Sequence, residues 1–566
     1  MITASEKERQ IAAAMGTEKA DLVLKNVSFV NVFTKKLMSG DIAVSGGIIV
    51  GIGEIYEGKL ELDLSGKVVC PGLIDGHIHL ESAAVLPVEF ARAVVPHGTT
   101  SVVTDPHEVA NVLGVDGIHY MLQASENLPL DVYFMLPSCV PATPLDESGA
   151  VLCAEDIEPL YEEKRVLGLA ELMNYVGCVN RDSDVMKKIT DAVNHGKVID
   201  GHAPFLEGYE LNAYIAAGVC SDHECSALED AERKLARGQY IMIREGTAAQ
   251  NLQALFPLLM TPAAERCMFA TDDKHPSDLL EKGHIDYIIR EAVKKGVNPI
   301  TAVCAGSIHA AAYFGLSKKG AVAPGYEADL IVVDNLEEFH VQQVIKTGKI
   351  VYDGELASIL KPTVASELER KTRDTFHLNR VRAEDFIHDG SLPLIGMIPG
   401  EIVTKNCGYA EKIDLSKDVL KAAVIERHRH TGHIGMGFIT GYGLKKGAVA
   451  TSIAHDSHNI IVVGASEAEM AAAVNALLEL KGGITVVEGD TLLSALALPI
   501  CGLMSEDTLE KTNQDLNTAK EKAYELGANR TIDPFMTLSF MSLPVIPSLR
   551  VLTQGIFDVE QWKYIK

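Results

Sequence analysis

The chain has 566 residues, a formal net charge of −26 at pH 7 and a sequence pI of about 5.2, which predicts several domains with an acidic surface. This charge argues against binding to nucleic acid or to anionic membrane, because both depend on clustered Lys and Arg side chains. The ten cysteines include no C-x-x-C pair, so neither a disulfide framework nor a zinc-thiolate site is indicated. We therefore expect reduced thiols and a cytoplasmic protein.

The N-terminal part of the chain contains a helical segment followed by strands. Residues 1–20 have mixed charges and the pattern of a short amphipathic helix, without the apolar core of a secretory signal. Residues 20–69 form short runs such as DLVLKNVSFVNVF and DIAVSGGIIVGIG, broken by Gly and Asn. This pattern is typical of a small antiparallel sheet. We expect no membrane span, since no run approaches the roughly 18 apolar residues that one requires.

Eight short apolar runs between Lys67 and Asp272 end in polar residues, and helical stretches separate most of them. They are KVVCPGLIDGHIH, TTSVVTDPHE, DVYFMLPSCVP, VLGLAELMN, KVIDGHAP, GVCSDHE, YIMIREGT and CMFATDD. Strands that alternate with helices predict parallel βαβ units, and eight of them fit a TIM-like (β/α)₈ barrel. An open doubly wound sheet is the alternative, but no G-x-G-x-x-G turn follows a strand here.

Six candidate metal ligands lie at the ends of these predicted strands. His77 and His79 are one residue apart, so an extended strand directs both side chains to the same face. The other candidates follow later strands and are Glu171, His202, His223 and Asp272. Because the strand ends of a closed barrel converge on one mouth, the six residues predict a metal site there. Imidazoles and carboxylates suit Zn, Mn or Fe dications, and six ligands exceed the need of one ion.

The motif PGLIDGHIHLES, together with these four later residues, resembles the amidohydrolase superfamily. The resemblance implies a binuclear site in which His77, His79 and Asp272 hold the more buried divalent ion. It implies that His202 and His223 hold the second ion. Glu171 would bridge the two ions, in place of the carboxylated lysine of many members.

A closer resemblance is to the bacterial adenine deaminases and extends over nearly the whole chain. It is carried by HLESAAVLPVEFARAVVPHGTTSVVTDPHEVANVLG, GLAELMN, DGHAP and TDDKHP. The resemblance implies hydrolytic deamination of adenine to hypoxanthine and ammonia, a reaction of purine salvage. We expect Mn²⁺ to be the favoured ion, with Fe²⁺ or Zn²⁺ possible, and we expect a homodimer because twofold symmetry is common.

The chain after the barrel predicts two further parts. Residues 297–316 have the pattern of a helix with a small-residue face, and residues 317–361 return to strand periodicity. In the superfamily, such strands pair with the N-terminal ones in a β-sandwich beside the barrel. The predicted domains are therefore residues 1–66 and 317–361 for the sandwich, residues 67–316 for the barrel, and residues 362–566 for a C-terminal α+β domain.

The C-terminal domain contains two histidine clusters whose spacing is compatible with metal binding. The first is ERHRHTGHIG, with His428, His430 and His433, and the second is AHDSHN, with His455 and His458. Polar loops at the edge of a domain explain both clusters equally well. We expect some of these residues to cap the barrel mouth and to help hold the substrate.

The predicted site suggests a mechanism in which metal-bound hydroxide, held by Glu171, attacks C6 of the purine. Asp272 is the candidate to move the proton of the attacking water. Glu81 and His107 are further catalytic candidates, and Glu81, Asp105, Arg244 and Asp273 are candidates for substrate binding. An alternative for Arg244 is a simple ion pair with Glu245, and Glu108 is a further polar candidate near the mouth.

Two other classes of function fit the same residues. One is a different amidohydrolase reaction, such as cyclic amide hydrolysis or deacetylation, because loops rather than the metal set determine the substrate. The other is a non-catalytic binding or scaffold protein. That second alternative requires lost ligands, whereas all six positions are filled in this chain.

Overall fold

The computed structural model describes residues 3–399 and 401–565. The predicted N-terminal helix spans Ala4–Ala14 and begins with a capping box, in which Thr3 and Glu6 exchange hydrogen bonds between side chain and backbone. Five strands follow this helix: β1 (Ala20–Asn31), β2 (Lys36–Ser45), β3 (Ile48–Ile52), β4 (Gly58–Asp63) and β5 (Val68–Pro71).

Eight parallel strands form a closed barrel, as predicted. They are β6 (Leu73–Ile78), β7 (Thr99–Thr104), β8 (Asp131–Leu136), β9 (Val166–Leu172), β10 (Val198–Gly201), β11 (Ser221–Asp222), β12 (Tyr240–Arg244) and β13 (Cys267–Ala270). Each strand pairs with the next from β6 to β10 and from β11 to β13. The Cys220 N–H donates to Ile199 O (2.9 Å) beside β10 and β11, and the His79 N–H donates to Asp272 O (3.1 Å) beyond β13. These bonds close the barrel.

The first predicted run supplies strands to two different sheets. Val68–Pro71 pairs in the flanking sheet, and Leu73–Ile78 begins the barrel. Between them, Gly72 packs so closely on Thr100 that a Cβ would lie 2.3 Å from Thr100 Oγ1. Only glycine fits at this crossing point.

Helices connect the barrel strands and surround them. They span Pro87–Val94, His107–Leu113, Val115–Ala124, Ala154–Ile157, Tyr175–Asn180, Ser183–Asn194, Gly208–Ala216, Leu228–Leu235, Leu252–Leu255, Pro276–Glu281, Ile285–Lys294, Pro299–Ala305 and Ile308–Tyr313. The prediction of a single helix over residues 297–316 is wrong, because two separate helices, Pro299–Ala305 and Ile308–Tyr313, occupy this range. Ser307, between them, leaves helical geometry at φ −150° and ψ −88°.

The strands after the barrel join the N-terminal strands in one sheet. They are β14 (Leu330–Val333), β15 (Val341–Lys346) and β16 (Lys349–Asp353). The strand order is β16-β15-β14-β5-β1-β2-β3, and β4 pairs with β1. Residues that precede and follow the barrel in sequence, including Phe29, Val69 and Leu330, share one buried core. The prediction that the two segments combine beside the barrel is confirmed.

The C-terminal region is built on a second eight-stranded sheet with the order β18-β17-β20-β19-β22-β21-β23-β24. Its strands and a small terminal sheet are β17 (Leu392–Met397), β18 (Thr404–Ala410), β19 (Leu420–Ile425), β20 (Ile434–Thr440), β21 (Ala448–Thr451), β22 (Ile460–Gly464), β23 (Gly483–Glu488), β24 (Thr491–Ala497), β25 (Leu549–Leu552), β26 (Gly555–Asp558) and β27 (Lys563–Tyr564). Its helices are Ser366–Thr372, Glu467–Leu480, Leu509–Glu525 and Pro534–Ser539.

Alternating residues of this sheet enter two different cores. Val462 packs with Met470 of one helix, while Val463 packs with Leu516 of another. Helices therefore cover both faces of the sheet. The barrel mouth is instead contacted by connections that join or follow the strands of this sheet. Within the described residues, no helix has the length and apolar character needed to cross a membrane.

Candidate metal centre and adjoining cavity

The six predicted ligands converge at the barrel mouth, and Glu171 lies at their centre. Glu171 Oε2 is 2.7 Å from His202 Nδ1 and 3.2 Å from His223 Nε2, while Glu171 Oε1 is 3.4 Å from His79 Nε2. Asp272 Oδ1 lies 3.2 Å from His79 Nε2. Glu171 thus connects the histidines of the first strand to those of the fifth and sixth strands.

The donor set fits divalent metal ions. The ligand atoms of His77, His79 and Asp272 lie within 4.8 Å of one another, and the same holds for His77, Glu171 and His223. His77 Nε2 is buried and has no hydrogen-bond partner among the described residues. Burial of such a nitrogen is costly unless it binds a partner such as a metal ion, and imidazole is a common ligand for dications.

Asp75 holds the strand ends that carry the ligands His77 and Asp272. Its Oδ1 accepts from the backbone N–H groups of His77 and Thr271 (3.1 Å each), and its Oδ2 accepts from Thr271 Oγ1. His284 Nε2 lies 3.1 Å from the same carboxylate. Because Thr271 precedes Asp272, the buried carboxylate sets the positions of ligands from both the first and the last barrel strand.

We expect Asp75→Asn to lower the free energy of unfolding by about 3 kcal/mol, because an amide NH₂ replaces an acceptor in a buried, fully engaged network. Urea denaturation followed by circular dichroism measures this loss. The exposed Asp389→Asn serves as the control and is expected to stay within about 0.5 kcal/mol of the parent. Equal urea midpoints for the two variants would contradict the role given to Asp75.

Arg244 connects two carboxylates on the opposite side of the cluster. Its Nη1 donates to Asp272 Oδ2 (2.6 Å), and its Nη2 donates to Glu224 Oε2 (2.8 Å). Although burial opposes the shift, the charge of Arg244 helps to hold the pKa of Asp272 well below its ordinary value. The alternative pairing of Arg244 with Glu245 is wrong: successive strand residues point to opposite faces, and the Glu245 carboxylate accepts from the Leu252 N–H (3.2 Å).

Asp105, His107 and Asp273 also lie at the mouth and are engaged by other side chains. His107 Nδ1 is 2.9 Å from Asp105 Oδ2 and 3.3 Å from Glu171 Oε1. The Asp105 carbonyl also faces His79 Nδ1 at 3.0 Å. Asp273 accepts a hydrogen bond from Ser82 Oγ. Asp105 thus orients two histidines, and Asp273 orients a residue of the cavity wall.

A cavity lies near the metal cluster, with Glu81 and Glu108 in its wall and none of the six predicted ligands among its lining residues. Glu81 Oε1 accepts from the Val109 N–H (3.2 Å), while Oε2 is buried without a partner among the described residues. Burial raises the pKa of Glu81 to about 7. The wall combines residues of the barrel with residues of the C-terminal region, including Ser82, Glu108, His275, Ile453, His455, His458, Leu503, Lys520, Asp533 and Phe535.

Two of the five histidines in the predicted C-terminal clusters reach the barrel mouth. His455 Nδ1 lies 2.6 Å from Glu108 Oε1, and His458 Nε2 contacts Glu108 Oε2. Although burial lowers it, the Glu108 carboxylate raises the pKa of His455 to about 9. The other histidines are engaged elsewhere: His428 with Ser457 O, His430 with His377 O, and His433 with Glu147.

Comparison with known proteins places this architecture in a family. Residues 68–351 match the amidohydrolase family, and residues 401–563 match the adenine deaminase C-terminal domain. The adenine deaminase of Desulfatibacillum aliphaticivorans is 46% identical over 570 residues, covering 99% of both chains. The chain belongs to the adenine deaminase family. Adenine deaminase 2 of Carboxydothermus hydrogenoformans is also 46% identical and covers 98% of each chain.

Sequence reasoning missed several polar residues of this family member. Glu224 follows His223 directly, and its contact with Arg244 could have been suspected from the strand-end rule alone. Asp456 could not, because its position 4.0 Å from His107 Nε2 depends on how the C-terminal region meets the barrel. The same applies to the pairing of Glu108 with His455 and His458.

Proposed function

We propose that this protein hydrolyses adenine to hypoxanthine and ammonia. The observation that carries the proposal is the buried cluster around Glu171 near a cavity lined by Glu81, whose buried Oε2 has no hydrogen-bond partner among the described residues. Water adds oxygen at C6 of the base, and the exocyclic amine leaves as ammonia. Support comes also from relatives named adenine deaminase that are 42–46% identical over nearly the full chain.

We propose that the cluster holds two divalent ions. His77, His79 and Asp272 would hold one ion, His202 and His223 would hold the other, and Glu171 would contact both. The bound ions would supply a water molecule of lowered pKa close to the substrate. We expect Mn²⁺ to be the favoured ion. Fe²⁺ and Zn²⁺ are alternatives, because imidazole and carboxylate ligands accept all three ions.

The protein's own residues would position the base and move protons. Asp272 would take a proton from the attacking water at its carboxylate and deliver it to the departing amine. Glu81 lines the cavity, and its buried Oε2, which has no partner among the described residues, would hydrogen-bond a ring nitrogen of the purine. His107 would support Glu171 through its Nδ1 contact, and Arg244 would keep Asp272 ionised and in place. Asp105 and Asp273 would act through His107 and Ser82.

Ammonia release from a panel of bases tests the proposal. Purified protein loaded with Mn²⁺ should release ammonia from adenine, with hypoxanthine identified by chromatography. Adenosine, guanine, cytosine, a dihydropyrimidine and an N-acetyl sugar serve as comparison substrates, and we expect adenine to give the highest kcat/KM. Lack of adenine turnover with Mn²⁺, Fe²⁺ and Zn²⁺ would contradict the proposal. The homodimer and the cytoplasmic location stay predictions, and light scattering tests the former.

A further inference from the structure

Two segments of the C-terminal region contact the barrel mouth directly. In residues 454–459, His455 and His458 contact the Glu108 carboxylate. In residues 501–505, the Ser505 N–H donates to Ala84 O (2.8 Å), in the barrel connection that follows Glu81. Both segments border the cavity beside the metal cluster. The C-terminal region therefore forms one side of the proposed active site.

One buried arginine, Arg427, binds both segments. Its Nε donates to His458 O, and its Nη2 donates to Cys501 O (2.8 Å). Its backbone N–H donates to the Asn459 side chain (3.2 Å). Gly502 packs against the guanidinium so tightly that a Cβ would lie 3.0 Å from Nη2. Arg427 therefore fixes the distance between the two segments.

The environment of Arg427 is unusual for a buried charge. Its side chain is 0% exposed, and among the described residues no carboxylate oxygen lies within 4.0 Å of the guanidinium. Carbonyl oxygens and the Phe376 ring, 4.3 Å from the guanidinium carbon, surround it instead. Burying an unpaired charge is costly. A planar guanidinium, however, donates in several fixed directions and can bind several separate carbonyls at once.

The His458 ring connects the segment 454–459 to the barrel. Its Nδ1 accepts from the Ala454 N–H (3.3 Å), so the proton of the neutral ring lies on Nε2. Nε2 then donates to Glu108 Oε2. Glu108 is the sequence neighbour of His107, which contacts Glu171 at 3.3 Å. A continuous series of contacts thus runs from Arg427 to the metal cluster.

We propose that Arg427 is a positioning residue for the active site. It holds residues 454–459 and 501–505 at the barrel mouth, so that His458 fixes Glu108 and the connection after β7. It does not touch the substrate. The kinetic consequence of this role rests on the proposed adenine deamination, whereas the ordering of the barrel mouth does not.

The test uses the full-length Mn²⁺-loaded protein and the variant Arg427→Lys, which keeps the charge but loses the planar fork. We expect kcat/KM for adenine to fall about tenfold or more, since small displacements of catalytic groups have effects of this size. Hydrogen–deuterium exchange should become about tenfold faster in the barrel helix His107–Leu113, to which Arg427 makes no hydrogen bond. His458→Leu should give the same two effects, and His458→Gln, which retains an N–H donor, should recover part of the lost activity.

Lys421 provides a control in the same sheet. It is 4% exposed, donates to the carbonyl of Phe386 (2.9 Å) and pairs with Glu467. We expect Lys421→Met to lower the unfolding temperature as Arg427→Lys does, but to leave exchange in His107–Leu113 at the parent rate. Equal exchange in both variants and the parent would overturn the proposal, as would equal losses of kcat/KM in both variants. A parent that fails to turn over adenine contradicts the proposed function, and the exchange measurement then still decides the role of Arg427.

Discussion

Replacing Glu171 by Gln is expected to lower kcat/KM for adenine by at least about 10³-fold, because it removes a buried negative charge that contacts histidines from the first, fifth and sixth barrel strands. Glu171 lies within 3.4 Å of His79, His107, His202 and His223. A glutamine has nearly the same shape, but its NH₂ group would face imidazole nitrogen at one end. We therefore expect loss of metal as well as loss of activity.

The measurements are steady-state kinetics with adenine and metal content by mass spectrometry after dialysis. The exposed Glu163→Gln, on the connection that leads into β9, is the matched control and should retain parent activity and parent metal content. If Glu171→Gln binds as much metal as the parent and turns over adenine at the parent rate, the proposal that Glu171 bridges two ions is wrong.

Much of the barrel could be predicted because its strands and their ends are encoded locally. An apolar run followed by a polar residue reports both the strand and the position of its carboxyl end. This is why Glu171 and Asp272, about one hundred residues apart, could be expected at one mouth. Gly72, by contrast, divides the first run through its contact with Thr100, and no periodicity reveals a contact of that kind.

A contribution of C-terminal histidines to the other side of the site could be predicted, but which of them reach the barrel could not, because this depends on contacts between distant parts of the chain. Glu108 and His458 are 350 residues apart in sequence, and they touch only because the C-terminal region packs against the barrel. His433 has equally metal-like spacing, yet it pairs with Glu147 instead. The spacing of histidines within each cluster is therefore uninformative about which cluster reaches the cavity.

Asp272 is the second residue whose replacement should nearly abolish the reaction, and Asn is the most informative substitution. Asp272 has a φ of 61°, in the left-handed region that Asn tolerates better than most residues, so the backbone should be preserved. Both ends of the carboxylate are engaged: Oδ1 faces His77 and His79, and Oδ2 accepts from Arg244. Either orientation of an amide therefore places NH₂ against a group that requires an acceptor.

We expect Asp272→Asn to reduce kcat by at least about 10³-fold, since it removes both a charge and a proton acceptor. The KM for adenine should change less than about threefold, because the Asp272 carboxylate is engaged by protein groups rather than exposed in the cavity wall. Steady-state kinetics separate the two constants, and metal analysis shows whether His202, His223 and Glu171 still retain an ion. A variant with parent kcat would exclude proton transfer by Asp272. A variant with unchanged kcat and a large rise in KM would instead assign Asp272 to substrate binding.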